Sequence, residues 1–167
     1  APGYKADMVL FEDLETFKVK QVFTRLGRPY DPEEPLPVPI LPPQVFDSVH
    51  IARVDADDLE LRCSGEAPVI RMVPHQLMTK LVTRSVKRDA DGCFVPDGDL
   101  NKLAVIERHH ATGHLGVGII EGLGLKNGAI ASTVAHDSHN LVVAGDNDRD
   151  MLIAIDSLRA CGGGYCV

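Results

Sequence analysis

Tryptophan is absent from this chain of 167 residues, and aromatic residues make up only 5% of it. Any core it forms is therefore mostly aliphatic. No apolar run approaches the roughly 20 residues of a membrane-crossing helix. No secretory leader pattern opens the chain, and a cytoplasmic protein without a membrane partner is expected. Basic residues are in deficit, 17 against 24 acidic ones, for a net charge of −7. That balance argues against nucleic acid as a partner. The four cysteines, Cys63, Cys93, Cys161 and Cys166, form no C-x-x-C pair. At this size a disulfide framework is not expected, and they read as reduced thiols.

What is present centres on residues 129–147, A-I-A-S-T-V-A-H-D-S-H-N-L-V-V-A-G-D-N. Two runs of small and β-branched residues read as buried strands. Between them stands a polar cluster, His136-Asp137-Ser138-His139-Asn140, placed at a strand end or in a tight connection. Loops held by rigid strands commonly display binding and catalytic groups. Five consecutive hydrogen-bonding side chains are costly to bury unpaired. Water, each other, a metal or a ligand must satisfy them.

The preceding chain falls into parts. Met8 to Phe11 and the alternation from Phe17 to Gln21 predict two short strands, too few for a stable domain. Residues 31–43 hold six prolines (Pro32, Pro35, Pro37, Pro39, Pro42 and Pro43), which predicts an extended, semi-rigid linker. Beyond it, Val49 to Arg53, Leu59 to Cys63, Pro68 to Pro74 and Lys80 to Lys87 are strand candidates. Asp89 to Gly92 reads as a hairpin turn leading into Phe94-Val95. Leu103, Val105, Glu107 and His109 are expected on one face of a further strand, with Ala104, Ile106, Arg108 and His110 on the other.

Residues 113–128 are rich in glycine, but the G-x-G-x-x-x-G spacing does not match a dinucleotide fingerprint. Close packing or unusual dihedrals explain it better. After Gly145, Asp146-Asn147-Asp148 offers helix caps. Met151, Ala154, Ile155 and Leu158 form an apolar stripe, and Gly162 ends the helix. Strand, helix and a final apolar run suggest a βαβ unit in which Leu141 to Ala144 pairs in parallel with Tyr165 to Val167. The expected class is α+β.

Glu107-Arg108-His109, Gly113, and the string from Gly122 through Asn140 resemble the C-terminal region of adenine deaminases, members of the amidohydrolase superfamily. The likeness continues through Val142 to Asp148 and Gly162 to Gly164, and Gly3 to Leu10 resembles the strand that follows the catalytic barrel. The resemblance implies three segments: terminal strands of a small β domain at residues 1–30, a linker at 31–43, and an α+β C-terminal domain from 44 to 167. It also implies a fragment, a cleaved chain or one part of a split polypeptide.

The implied reaction is hydrolysis of adenine to hypoxanthine and ammonia, with a divalent metal (manganese, iron or zinc) lowering the pKa of a bound water. The main metal site is expected outside this chain, because no H-x-H motif and no barrel are present. Adenine, the barrel portion and further copies of the same chain are the expected partners. His136, Asp137, His139 and Asn140 are candidates to border the catalytic site. His109, His136 and His139 are candidates for an auxiliary metal. Alternatively, the cluster satisfies its own turn and backbone carbonyls, or contacts substrate without ligating anything. A second functional class is a cap or oligomerisation domain with no chemistry of its own.

Overall fold

The computed structural model describes residues 2–5, 7–24, 27–31, 33 and 38–167. Ala1 and three linker prolines, Pro32, Pro35 and Pro37, lie outside the described residues. The chain divides into two compact units, Ala1–Leu41 and Pro42–Val167.

In the first unit, β1 (Met8–Phe11) and β2 (Val19–Thr24) pair antiparallel, and β3 (Arg28–Pro29) joins the other edge of β2. The strand pattern expected at Phe17 starts later. Phe17 takes a left-handed backbone (φ 54°), and its ring meets Phe11 edge-on at 5.5 Å. That contact fixes the connection between the strands at the cost of an unfavourable dihedral.

In the linker, Pro42 is extended (φ −64°, ψ 145°), as a proline-rich strap predicts. Pro43 then opens a single 3₁₀ turn, Pro43–Val45. Proline is tolerated there because its missing N–H falls at a position that has no partner within the turn.

The second unit is built on a seven-stranded sheet. Its strands are β4 (Glu66–Met72), β5 (Thr79–Ser85), β6 (Leu100–Ile106), β7 (Leu115–Glu121), β8 (Ala129–Ser132), β9 (Leu141–Gly145) and β10 (Tyr165–Cys166), with one helix, α1 (Asp148–Cys161). The spatial order is β10-β8-β9-β6-β7-β4-β5. Neighbours run antiparallel except β4 and β7, which are parallel. The architecture is α+β.

Helix α1 forms for the reasons its sequence supplies. Asn147 accepts the Asp150 N–H at 2.8 Å as N-cap, and Asp148 and Asp150 sit in the first turn, where the helix dipole favours negative charge. Gly162 ends the helix in the left-handed conformation (φ 78°). The stripe Met151, Ala154, Ile155 and Leu158 is buried against Ala104, Ile106, Leu141 and Val143 on one sheet face. Leu59, fully buried, closes that layer from a 3₁₀ turn. Gly145 is required where β9 passes under the helix. A Cβ there would stand 2.7 Å from Met151 Cγ and 3.0 Å from Ala129 Cβ.

Three expectations are corrected. Leu141 to Ala144 does not pair with the last strand: β8 stands between β9 and β10 and is antiparallel to both. The helix thus steps over one strand, a split βαβ unit. Val49–Arg53 and Leu59–Cys63 are not strands. The first is tied to the residues after β6 by His50 N–H to Arg108 O and Ala111 N–H to His50 O. The second forms one isolated bridge, Arg62 to Cys93, takes the Phe94 N–H on Leu61 O, and packs Leu59 and Leu61 into the core. Finally, β6 stops at Ile106, so Glu107 and His109 are not strand residues. β7 runs through Gly116 and Gly118, inside the stretch read only as glycine-rich.

Candidate functional site

Strands β8 and β9 pair through Ala129↔Gly145 to Ser132↔Val142, and residues 133–140 connect them. The polar cluster therefore sits in a loop between two rigid strands, as its flanks predict. The loop is anchored at its start by Thr133, which is buried. Its N–H donates to Gly164 O at 3.0 Å, and its hydroxyl accepts the Gly164 N–H at 2.8 Å. Glycine is needed beside it, since Gly163 has φ 106° and a Cβ there would stand 2.7 Å from Thr133 Oγ1. Thr133 is a positioning residue that the sequence did not single out.

Within the loop the backbone folds on itself. His139 N–H donates to Ala135 O at 2.7 Å and Ser138 N–H to His136 O at 3.1 Å. Asp137 and His139 both have positive φ, 68° and 49°. Non-glycine residues held there cost of order 1–3 kcal/mol each, so neighbouring contacts must hold the turn.

Those contacts come from residues 107–112. Arg108 donates from Nε to His139 O and from Nη1 to Ser48 O at 2.7 Å. His109 Nε2 lies 2.8 Å from Ser138 O. Glu107 organises the segment from below. Its carboxylate accepts the N–H groups of His109 (2.5 Å), His110 (2.9 Å) and Thr112 (3.0 Å), and the Thr112 hydroxyl (3.0 Å). The Thr112 amide, above all, holds the acid's pKa down to about 2, and the other bonds add to this against a smaller opposing effect of burial. An ion pair between Glu107 and Arg108 is thus not formed. Each is engaged by backbone groups instead.

The candidate residues are therefore gathered on two adjoining segments but presented differently. His136 and Asp137 face solvent, with His136 Nδ1 2.9 Å from Asp137 Oδ1 and both side chains at least 90% exposed. In a neutral ring whose Nδ1–H is taken by the carboxylate, Nε2 carries the lone pair and stands free as an acceptor. His139 is exposed and contributes its backbone to the latch, and Asn140 is half-buried at the entry to β9. Among the described residues no three His, Cys, Asp or Glu side chains stand close enough to hold a metal ion. His109, His136 and His139 do not converge on one point, and the His109 Nε2 is spent on a carbonyl. As donors for a divalent ion, the residues present do not fit.

The second unit is thus an α+β domain, a mixed sheet covered on one face by a helix, with a braced polar loop at a strand end. The sequence model of the adenine deaminase C-terminal domain matches residues 76–167, more than half of the chain. The chain belongs to that family. It is 51% identical to an adenine deaminase of Nitratidesulfovibrio vulgaris over 98% of its own length and 29% of the relative's. It is 45% identical to adenine deaminase 2 of Carboxydothermus hydrogenoformans, covering 100% of this chain and 30% of that protein. With adenine deaminase 2 of Latilactobacillus sakei the identity is 42%, over 98% and 29%. The chain thus spans less than a third of the length of these relatives. No helix among the described residues is long and apolar enough to cross a membrane.

Proposed function

We propose that the chain is the C-terminal part of a cytoplasmic, homo-oligomeric hydrolase that converts adenine and water to hypoxanthine and ammonia. The supporting observation is the 40–51% identity to proteins named adenine deaminase, which runs through essentially all of this chain. The divalent metal that the family resemblance implies belongs to the catalytic portion outside these residues. This chain contributes the loop His136-Asp137-Ser138-His139-Asn140, held by Arg108 and His109, at the border of the reaction centre. The free Nε2 of His136 and the Asp137 carboxylate then supply hydrogen-bonding groups toward a purine, which carries both donors and acceptors.

The test is adenine turnover by the native-length protein, by this chain alone, and by His136→Ala in the native-length protein. Turnover is expected in the first and absent from the second. His136→Ala is expected to change KM or kcat without changing metal content. A native-length protein that leaves adenine untouched overturns the reading. If His136→Ala leaves both constants unchanged, the loop is not at the reaction centre and the domain acts as a cap only.

A further inference from the structure

An antiparallel sheet with one face in water alternates apolar and polar residues along each strand. This sheet does not. The side chains that meet α1 and the segments beside it are one set, including Ala104, Ile106, Leu141 and Val143. The alternate residues point to the opposite face. There, from β10 to β7, stand Tyr165, Ile130, Val142, Leu103, Val105 and Ile120. The register lines them up in cross-strand rows, Val105↔Val142 and Leu103↔Ala144. No residue on that face of these five strands is charged. The charges fall on the helix side instead, as with Lys102 and Glu121. The open face carries a cavity of about 460 Å³ lined by Leu103, Ile120, Leu123, Ile130, Val142 and Tyr165, among others. Gly116 and Gly118 lie opposite Val105 and Leu103 with nothing within 4 Å of an added Cβ. They leave a shallow trough that admits a protruding side chain. Strands apolar on both faces are strands covered on both faces.

We propose that this open face is where the catalytic portion of the deaminase docks, apolar surface on apolar surface. The proposal rests on the reading that the chain works as part of such an enzyme. One observation selects this occupant over a second copy of the chain, and another ties the occupant to the loop. In relatives matched across 98–100% of this chain, more than two thirds of the protein lies outside the matched region. The domain in those relatives is therefore joined to a larger body. The face also runs directly into the polar loop: Ser132 and Val142 are paired at its edge, and Val134, half exposed, follows. A body seated on this part of the sheet lies beside the loop that carries His136 and Asp137. Docking and loop presentation become one event.

The experiment is thiol labelling of the native-length protein with a maleimide, read by peptide mass spectrometry. Val142→Cys places a thiol at the centre of the face. Cys161, exposed on α1, is the reactive control, and buried Cys93 reports that the domain is folded. The introduced thiol is expected to react at least about tenfold more slowly than Cys161, at a rate independent of protein concentration. Adding Leu103→Glu buries an unpaired charge in the contact. It is expected to release the introduced thiol while Cys93 stays protected. Labelling of the Val142→Cys thiol at the Cys161 rate overturns the proposal. So does protection that disappears on dilution, since that identifies a second copy as the occupant. Adenine turnover is assayed in parallel. Protection without turnover supports the docking and overturns the substrate, whereas turnover with an unprotected thiol overturns the docking alone.

Discussion

His109 Nε2 and the carbonyl oxygen of Ser138 lie 2.8 Å apart, across 29 residues of sequence. A carbonyl only accepts, so this contact requires a proton on Nε2. The ring is thereby fixed either as the Nε2–H tautomer or as the cation, and its Nε2 lone pair is withdrawn from metal chemistry. One imidazole of the family motif is a brace for the loop that carries the other two.

Removing that brace is expected to loosen the loop locally. His109→Ala should cost about 0.5–1.5 kcal/mol, the net worth of one hydrogen bond. The amide of His139, bonded to Ala135 O, should then exchange with deuterium up to roughly tenfold faster. Amides of α1 should be unaffected. Unchanged exchange at His139 would show that the contact carries no load.

Arg108 reaches two carbonyls at once, on His139 and Ser48, from two different guanidinium nitrogens. A lysine has one ammonium and cannot span both in the same fork. Arg108→Lys is therefore expected to behave like Arg108→Ala, each losing about 1.5–3 kcal/mol in the local opening of the loop. Hydrogen exchange of the same amides measures it, and full rescue by lysine would contradict the two-point latch.

The Glu107 carboxylate has its folded pKa depressed to about 2 from an ordinary 4.5. A depressed acid stabilises the fold fully above its unfolded pKa, and the contribution is lost as pH falls toward the folded value. The stability advantage of wild type over Glu107→Gln should thus be constant above about pH 5 and shrink steadily between about pH 4.5 and 2. Urea midpoints of both proteins across that range provide the measurement. A difference that does not change with pH would place the carboxylate outside the network.

Asn147 is a cap with three bonds. It accepts the Asp150 N–H, and its amide donates to Asp146 Oδ1 and Asp150 Oδ2, each at 2.8 Å. Asn147→Ala should cost about 1 kcal/mol. Asn147→Asp keeps the cap acceptor but loses both donors and adds a third carboxylate to the group. It is expected to recover only part of the loss, as read from thermal unfolding at neutral pH.

The parts legible from sequence are those where local chemistry and tertiary packing agree. The strands beside the histidine cluster are short β-branched runs, and α1 has its cap, stripe and terminating glycine in order. Hidden parts are those decided by distant partners. Strand β7 is masked by Gly116 and Gly118, whose lack of side chains reads as a loop until β6 and β4 pair on either side. Val49 to Arg53 has strand-like residues, but its backbone partners surround a single residue, His50. The loop's residues could be named in advance, but not its brace. Glu107-Arg108-His109 is visible as a motif, yet nothing in the string says that backbone carbonyls occupy the arginine and one imidazole.

The parallel junction of β4 with β7 is only two registered positions long, Ile70↔Ile120 and Arg71↔Glu121, whereas the β4–β5 ribbon pairs over seven. The Glu121 carboxylate accepts from both Arg71 and Arg84, one from each strand of that ribbon. This acid therefore fastens the β4–β5 ribbon to the rest of the sheet, beside the apolar contact of Ala67 and Val69 with Ile119. Pulled mechanically, the molecule should tear first along this seam, with the hairpin leaving as a unit and the helix-backed remainder still intact.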